Sequence, residues 1–260
     1  MIRRIITAIL LAPVFLALLI LGDIYFGFLV LALALAGINE FNSLIIRSGY
    51  KAFIKVNFLS VSFLALLTIL TGAIDYATFS LLLLFMLYAT LPLFFFQNIG
   101  FKETALNFWG VVYTGGLFIS LAAIRFLPQG LYLTLLLVLG VWAGDIAAYF
   151  TGLKFGRHRL TIVSPNKTWE GAIGGFFATI LSVSLLNIML TSFPFVKILP
   201  VGIIIALFSQ IGDLSQSALK REVGVKDSGS LLPGHGGILD RFDGLLFAAP
   251  AFYAYYLLLL

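Results

Sequence analysis

The chain has 260 residues and a formal charge of +5, with 61% hydrophobic and only 10% charged side chains. Soluble domains run at roughly 45–50% apolar and about 25% charged, so a mean hydropathy of +1.10 excludes a water-soluble globule, a coiled coil and a disordered chain. The absence of cysteine removes disulfides, thiol catalysis and zinc–thiolate sites together.

A helical span takes about 20 apolar residues. Windows of about 19 residues predict nine helices, near 5–21, 25–38, 58–71, 76–96, 104–124, 131–150, 169–190, 196–215 and 237–260. The expected fold is all-α, a polytopic integral membrane protein of about nine transmembrane helices in one domain over 1–260. The second and third spans are short, and a helix continuing through Asn39 and Glu40 would lengthen the second.

Charge placement sets the orientation. Of the 16 Lys and Arg, 14 precede span one or lie in loops on the same side, and only Arg125 and Lys197 lie opposite. Positive residues stay on the cytoplasmic side during insertion, so the N-terminus is expected inside and the C-terminus outside. The basic balance is then a topology signal that needs no nucleic-acid partner. Ala34-Leu35-Ala36 lies beyond a second hydrophobic run, too late for a signal-peptide cleavage site.

The acids carry more information. Asp23 and Asp75 fall in short outer turns, whereas Asp145, Asp213, Asp240 and Asp243 sit within or at the edge of apolar runs, near the expected cytoplasmic ends of spans six, eight and nine. An acid at bilayer depth costs at least ~2.5 kcal/mol on insertion scales. On a helix, Asp240 and Asp243 share one face about a turn apart, where a cation or a proton must separate them. Hard oxygen ligands without His or Cys clusters select Mg²⁺ or Mn²⁺, and Asp213 could add a third carboxylate. An Asp–Arg network closing the helix ends is the alternative.

Between these acids lie Lys220, Arg221 and Lys226, then a glycine-rich stretch ending Pro233-Gly234-His235-Gly236-Gly237. Glycines let backbone N–H groups approach an anion, and a helix starting at Gly236 or Gly237 would point its positive end there. The pattern describes a phosphate cradle, with His235 either a turn residue or a participant. A second polar island separates spans six and seven. There Ser164-Pro165 reads as an N-cap and first helical residue, which places Lys167 in the opening turn, where a cation opposes the helix dipole and answers to a bound anion. Arg157, His158 and Arg159 read as facing anionic headgroups. Gly171 and Gly175 make a small-xxx-small spacing suited to internal helix packing.

These residues carry a family resemblance. Ser217 to Arg221, Lys226-Asp227 and Pro233 to Asp243 together resemble the signature of the phosphatidate cytidylyltransferases (CDP-diacylglycerol synthases), without a departure across roughly 27 positions. Upstream, Asp145 to Tyr149, the Gly152 to Gly156 turn and Ser164 to Gly171 are similar to the family's second polar region, except that Asn166 stands where many relatives carry lysine. The resemblance covers 129–260, the half it marks as catalytic; the spans of 1–128 match only in being hydrophobic.

The resemblance implies that CTP and phosphatidate react to give CDP-diacylglycerol and pyrophosphate, with Mg²⁺ required as one or two divalent ions and a second cation of another kind left open. Asp213, Asp240 and Asp243 become metal ligands, with Asp145 in support, and Lys167 and His235 join them as catalytic residues. Lys167, Lys220, Arg221, Lys226, His235, Gly236 and Gly237 become phosphate-binding, and Asp227 orients a neighbouring cation. Membrane lipids are further partners, and a homodimer is left open. The expected location is a bacterial inner membrane with the site facing the cytoplasm. The rival readings are an ion-coupled transporter, since intramembrane acids mark ion pathways, and a CTP-dependent lipid or polyprenol kinase, which would leave CDP free. A CDP-alcohol phosphotransferase fits less well, because Asp243-Gly244 is followed by Leu245-Leu246-Phe247 and no Ala-Arg.

Overall fold

The computed structural model describes residues 2–72, 74–95, 99–190, 193–231 and 236–259. In chain order the helices are α1 (Ile2–Leu21), α2 (Asp23–Arg47), α3 (Ile54–Thr71), α4 (Ile74–Phe95), α5 (Phe101–Val111), a π-helical turn (Val112–Gly116), α6 (Leu117–Phe126), α7 (Gly130–Phe155), α8 (Trp169–Leu190), α9 (Phe195–Glu222) and α10 (Leu239–Leu259). Among the described residues there is no strand, only an isolated bridge between Arg159 and Thr168. The all-α expectation holds: among the described residues eight helices are long and apolar enough to cross a membrane, α5 to α6 counting as one. Of α1, the described apolar part is Ala12–Leu21, which is shorter than a span.

Several helices outrun the apolar windows that predict them. The second helix runs on through Asn39 and Glu40 to Arg47, and α9 reaches Glu222 rather than stopping near residue 215. Hydropathy marks only the length that lipid covers. A helix continues wherever its polar end finds other partners.

The chain divides into two compact units, Met1–Phe126 with Val223–Arg241, and Leu127–Glu222 with Phe242–Leu260. The glycine-rich segment belongs with the N-terminal helices.

In the first unit, Phe26, Val30, Ala34, Ile38, Phe41 and Ile45 are almost fully buried. Their three- and four-residue spacing makes one stripe along α2. Leu59, Leu70, Phe79 and Leu93, by contrast, are at least 60% exposed. That inversion suits a chain dissolved in lipid, where apolar side chains face outward at no cost and polar ones must find partners within. Asn57 shows the second half of the rule. Its amide donates to Asn42 Oδ1 at 2.6 Å and to Asn107 Oδ1 at 2.7 Å, and its own oxygen accepts from Tyr88 at 2.6 Å. This network ties α2, α3, α4 and α5 together.

In the second unit, α7 and α8 approach closely along two ladders of small residues. Gly140, Gly144, Ala148 and Gly152 recur every fourth position on α7, and Gly171, Gly175, Thr179 and Val183 do so on α8. A Cβ on Gly175 would lie 2.9 Å from both the Ala148 methyl and the Gly144 carbonyl oxygen, and one on Gly140 would lie 2.8 Å from Val183. The pairing is antiparallel, and Gly171 and Gly175 serve packing inside the chain, as their spacing suggests. Gly175→Val should therefore cost about 1–3 kcal/mol by overpacking, measured as a lower midpoint of unfolding in mixed detergent micelles. Gly116→Ala should cost little, because its Cβ would make only ordinary contacts at 3.7 and 3.9 Å.

Candidate functional site

The site in the second unit begins where α7 ends. Between Phe155 and Trp169 the chain forms a loop held by Glu170, in the first turn of α8. Its Oε2 accepts the amides of Arg157 and His158 at 3.1 and 3.3 Å, and its Oε1 meets His158 Nδ1 at 2.6 Å. The exposed His158 is thus tied back to the loop rather than only facing headgroups. The Lys167 amide donates to the Ser164 carbonyl at 3.0 Å, closing a turn with Pro165 second, and Leu160 donates to the Lys167 carbonyl at 2.8 Å.

This corrects the expectation for Ser164. It is not an N-cap, and Lys167 is not in the first turn of a helix. Helix α8 starts at Trp169, and Thr168 Oγ1 accepts the Gly171 amide at 3.1 Å as the cap. Proline's fixed φ suits the second place of a β-turn as well as the first place of a helix, so the dipeptide alone does not choose between them. What the turn achieves is to present Lys167 beside the helices.

Lys167 forms an ion pair with Asp213 on α9. Both line a cavity of about 700 Å³ together with Asp145 from α7, Asn166 from the turn and Gln210 from α9. Gln210 donates to the Ala172 carbonyl at 3.0 Å, which fixes its side chain against α8. Asp145 lies within electrostatic reach of Asp213 and Lys167. Asp243, on α10, lies within reach of Asp213, Asp145 and Lys167, and it caps locally through a 2.8 Å bond from the Gly244 amide. Close contact of α9 with α10 makes this possible, because a Cβ on Gly212 would collide with the Asp243 carbonyl oxygen. Among the described residues, three carboxylates here share one ammonium. The cavity also has an apolar wall of Tyr149, Leu153, Leu160 and Leu214, two of which, Tyr149 and Leu153, are mostly exposed.

The remaining residues singled out from the sequence fall elsewhere. Lys220 and Arg221 occupy the last turn of α9, where cations suit the helix dipole, and Arg221 Nε reaches the Val163 carbonyl at 3.4 Å. Lys226 and Asp227 are exposed in the first unit. Also in the first unit, Asp240 Oδ2 accepts the amides of Ser228 and Gly237 at 2.8 and 2.9 Å. Gly236 adopts a left-handed φ of +82°. His235 lies outside the described residues. Among the described residues no three His, Cys, Asp or Glu groups converge closely enough to ligate one ion. Two polar residues with partners in the structure, one in each unit, are missing from the site residues that the sequence points to. Gln210 gives no signal beyond a polar residue in an apolar run, whereas Glu40, a buried acid in such a run, answers to the criterion that picks out the aspartates.

An all-helical bundle with eight apolar helices of spanning length among the described residues, and a lysine–carboxylate cavity in one unit, is a polytopic membrane protein. The chain matches the cytidylyltransferase family over residues 2–259 and belongs to it. It is 34% identical to a phosphatidate cytidylyltransferase of Bacillus subtilis over 96% of both chains. It is 45% identical to the phosphatidate cytidylyltransferase of Synechocystis sp. over 51% of this chain and 46% of that protein. The corresponding Staphylococcus aureus protein is 42% identical over 59% of each. These last two matches span about half the length of the relatives concerned.

The loop geometry carries its own test. Glu170→Ala removes the acceptor of two amides and an imidazole, so the loop should open more often. Trypsin cleavage after the exposed Arg157 and Arg159 should rise several-fold, without a matching change at Lys55.

Proposed function

We propose that the protein transfers CMP from CTP to phosphatidate, giving CDP-diacylglycerol and pyrophosphate in phospholipid synthesis. The observation that carries this reading is Lys167, held on Asp213 in the lining of a cavity that has both polar and apolar walls, in a chain that belongs to the cytidylyltransferase family. The chemistry needs both walls. One substrate is a free polyanion, and the other carries its phosphate on a lipid.

A phosphate oxygen of phosphatidate attacks the α-phosphorus of CTP, a new P–O bond forms, and the bond to the bridging oxygen of the β-phosphate breaks. With a second pKa near ~6 the attacking phosphate is largely dianionic at neutral pH. Six negative charges enter and six leave, so no general base is needed. The barrier lies in bringing two polyanions together, which is an electrostatic task.

The residues of this chain divide that task. Lys167 binds substrate phosphate, and Asp213 holds its side chain in place until the anion arrives. Gln210 and Asn166 supply neutral polar contacts at the cavity wall. Asp145, Asp213 and Asp243 offer hard oxygen donors with no His or Cys among them, a set that suits Mg²⁺. That ion keeps several waters and is bound through one or two carboxylates plus substrate phosphates, so three converging protein ligands are not required. When bound, it would neutralise charge on the transferred phosphoryl group and on the leaving pyrophosphate. The excess of carboxylate over ammonium is what such an ion offsets. Lys220 and Arg221, in the last turn of α9, add positive potential for a polyanionic substrate, and Lys226, His235 and Gly236 keep the phosphate-side assignment that the resemblance gives them.

Purified protein in detergent, given radiolabelled CTP and phosphatidate, should release pyrophosphate and form labelled lipid only when Mg²⁺ is present. Free CDP as the product would instead indicate a kinase, and solute flux in liposomes without chemistry a carrier. Asp243→Asn and Asp213→Asn should each lower turnover by more than about 100-fold, the scale of losing a group that stabilises transition-state charge. Near-normal rates in either variant would remove these carboxylates from the metal assignment.

The orientation is also open to measurement, because the chain has no cysteine. A membrane-impermeant maleimide added to intact spheroplasts should label Pro128→Cys and spare Lys55→Cys. The opposite pattern would overturn a cytoplasmic N-terminus and a cytoplasmic site.

A further inference from the structure

Glu40 sits in α2 and is only 4% exposed, yet the chemistry proposed above makes no use of it. Its side-chain hydrogen bonds with described residues come from Ser228, Ile238 and Leu239, which lie in the first unit with it. Oε1 accepts the Ile238 amide at 2.7 Å, while Oε2 accepts the Leu239 amide at 3.0 Å and the Ser228 hydroxyl at 2.9 Å. Two of these donors are amides at the start of α10, which have no partner within their own helix. A negative charge there also suits the helix dipole.

Asp240 completes the arrangement from the other side. The oxygen that accepts the Ser228 and Gly237 amides also lies 3.0 Å from Ser228 Oγ. The two carboxylates therefore close on one serine, and the amides of Gly237, Ile238 and Leu239 are committed to them rather than offered to a phosphate. The glycines make the fit possible. A Cβ on Gly229 would lie 2.7 Å from Glu40 Oε1, and one on Gly237 would collide with the Glu40 carboxylate.

We propose that Glu40 is a positioning residue, a carboxylate from the N-terminal helices that clamps Ser228, Ile238 and Leu239 and fixes the first turn of the helix carrying Asp243. It acts through those residues and touches no substrate. The clamp gives the N-terminal helices a task in the reaction, and it accounts for Val223–Arg241 grouping with them. Its effect on turnover rests on the reading of the reaction given above, but the clamp itself does not.

The test uses the full chain in detergent, as Glu40→Gln, Glu40→Asp and Ser228→Ala. Without any substrate or metal, hydrogen exchange of the amides at residues 236–239 should speed up in Glu40→Gln, while exchange in α7 and α8 stays as in the parent. With substrates, kcat per folded molecule should fall about 10–100-fold, the usual cost of losing a supporting partner, with the KM for phosphatidate nearly unchanged. Glu40→Asp, which keeps the charge one methylene short, should recover part of the loss. Parent-like exchange at 236–239 in Glu40→Gln would overturn the clamp. So would a variant that yields less folded protein but retains full kcat per folded molecule, since that is a purely structural role. If the parent itself shows no cytidylyl transfer, the functional reading fails, and the exchange result alone then decides the clamp.

Discussion

A carboxylate built into an apolar helix has to be given donors from within the protein, because lipid supplies none. Each unit meets this demand differently. In the second, Asp213 takes the ammonium of Lys167, while Asp145 and Asp243 lie close enough to feel the same charge. In the first, Glu40 and Asp240 take backbone amides and a serine hydroxyl. The arrangement in the second unit leaves more negative than positive charge among the described residues. That in the first unit is saturated by the chain's own donors and has the character of a joint.

Small residues set where these groups stand. Gly144 precedes Asp145, Gly212 precedes Asp213, and Gly244 follows Asp243. At Gly212 a side chain would collide with the backbone of α10, and at Gly244 it would crowd Ser209 at 3.3 Å. Glycine in a helix costs roughly 0.5–1 kcal/mol relative to alanine. Placed beside an acid, it lets a neighbouring backbone come near enough for two carboxylates to share a counter-charge.

Much of this is legible in the sequence, for identifiable reasons. The all-helical membrane architecture follows from composition, and the α7–α8 seam from the spacing of Gly171 and Gly175. The acids Asp145, Asp213 and Asp243 stand out because charge within an apolar run demands explanation. Ser164-Pro165 misleads because a β-turn and a helix start use the same proline geometry, and only the Lys167 amide bonding to Ser164 distinguishes them. The ties from Ser228, Ile238 and Leu239 to Glu40 are not legible, because Glu40 lies 188 to 199 positions away in the chain. No local pattern reports a contact at that separation. Helix ends beyond the lipid-covered length, such as the last turns of α9, are likewise invisible to hydropathy.

The two ladders between α7 and α8 behave like a keyed track. Thr179 and Val183 stand over Gly144 and Gly140, while Gly175 and Gly171 stand over Ala148 and Gly152. Bulk on one side meets a notch on the other. Sliding α8 by one notch, about 6 Å for four residues, would drive Thr179 onto the methyl of Ala148 or strand Val183 beyond its recess. Only one setting closes the seam, and at that setting the turn before α8 delivers Lys167 to the height of Asp213. The charge pairing in the cavity is thus indexed by steric fit some distance away, much as the teeth of a key fix the position of its tip.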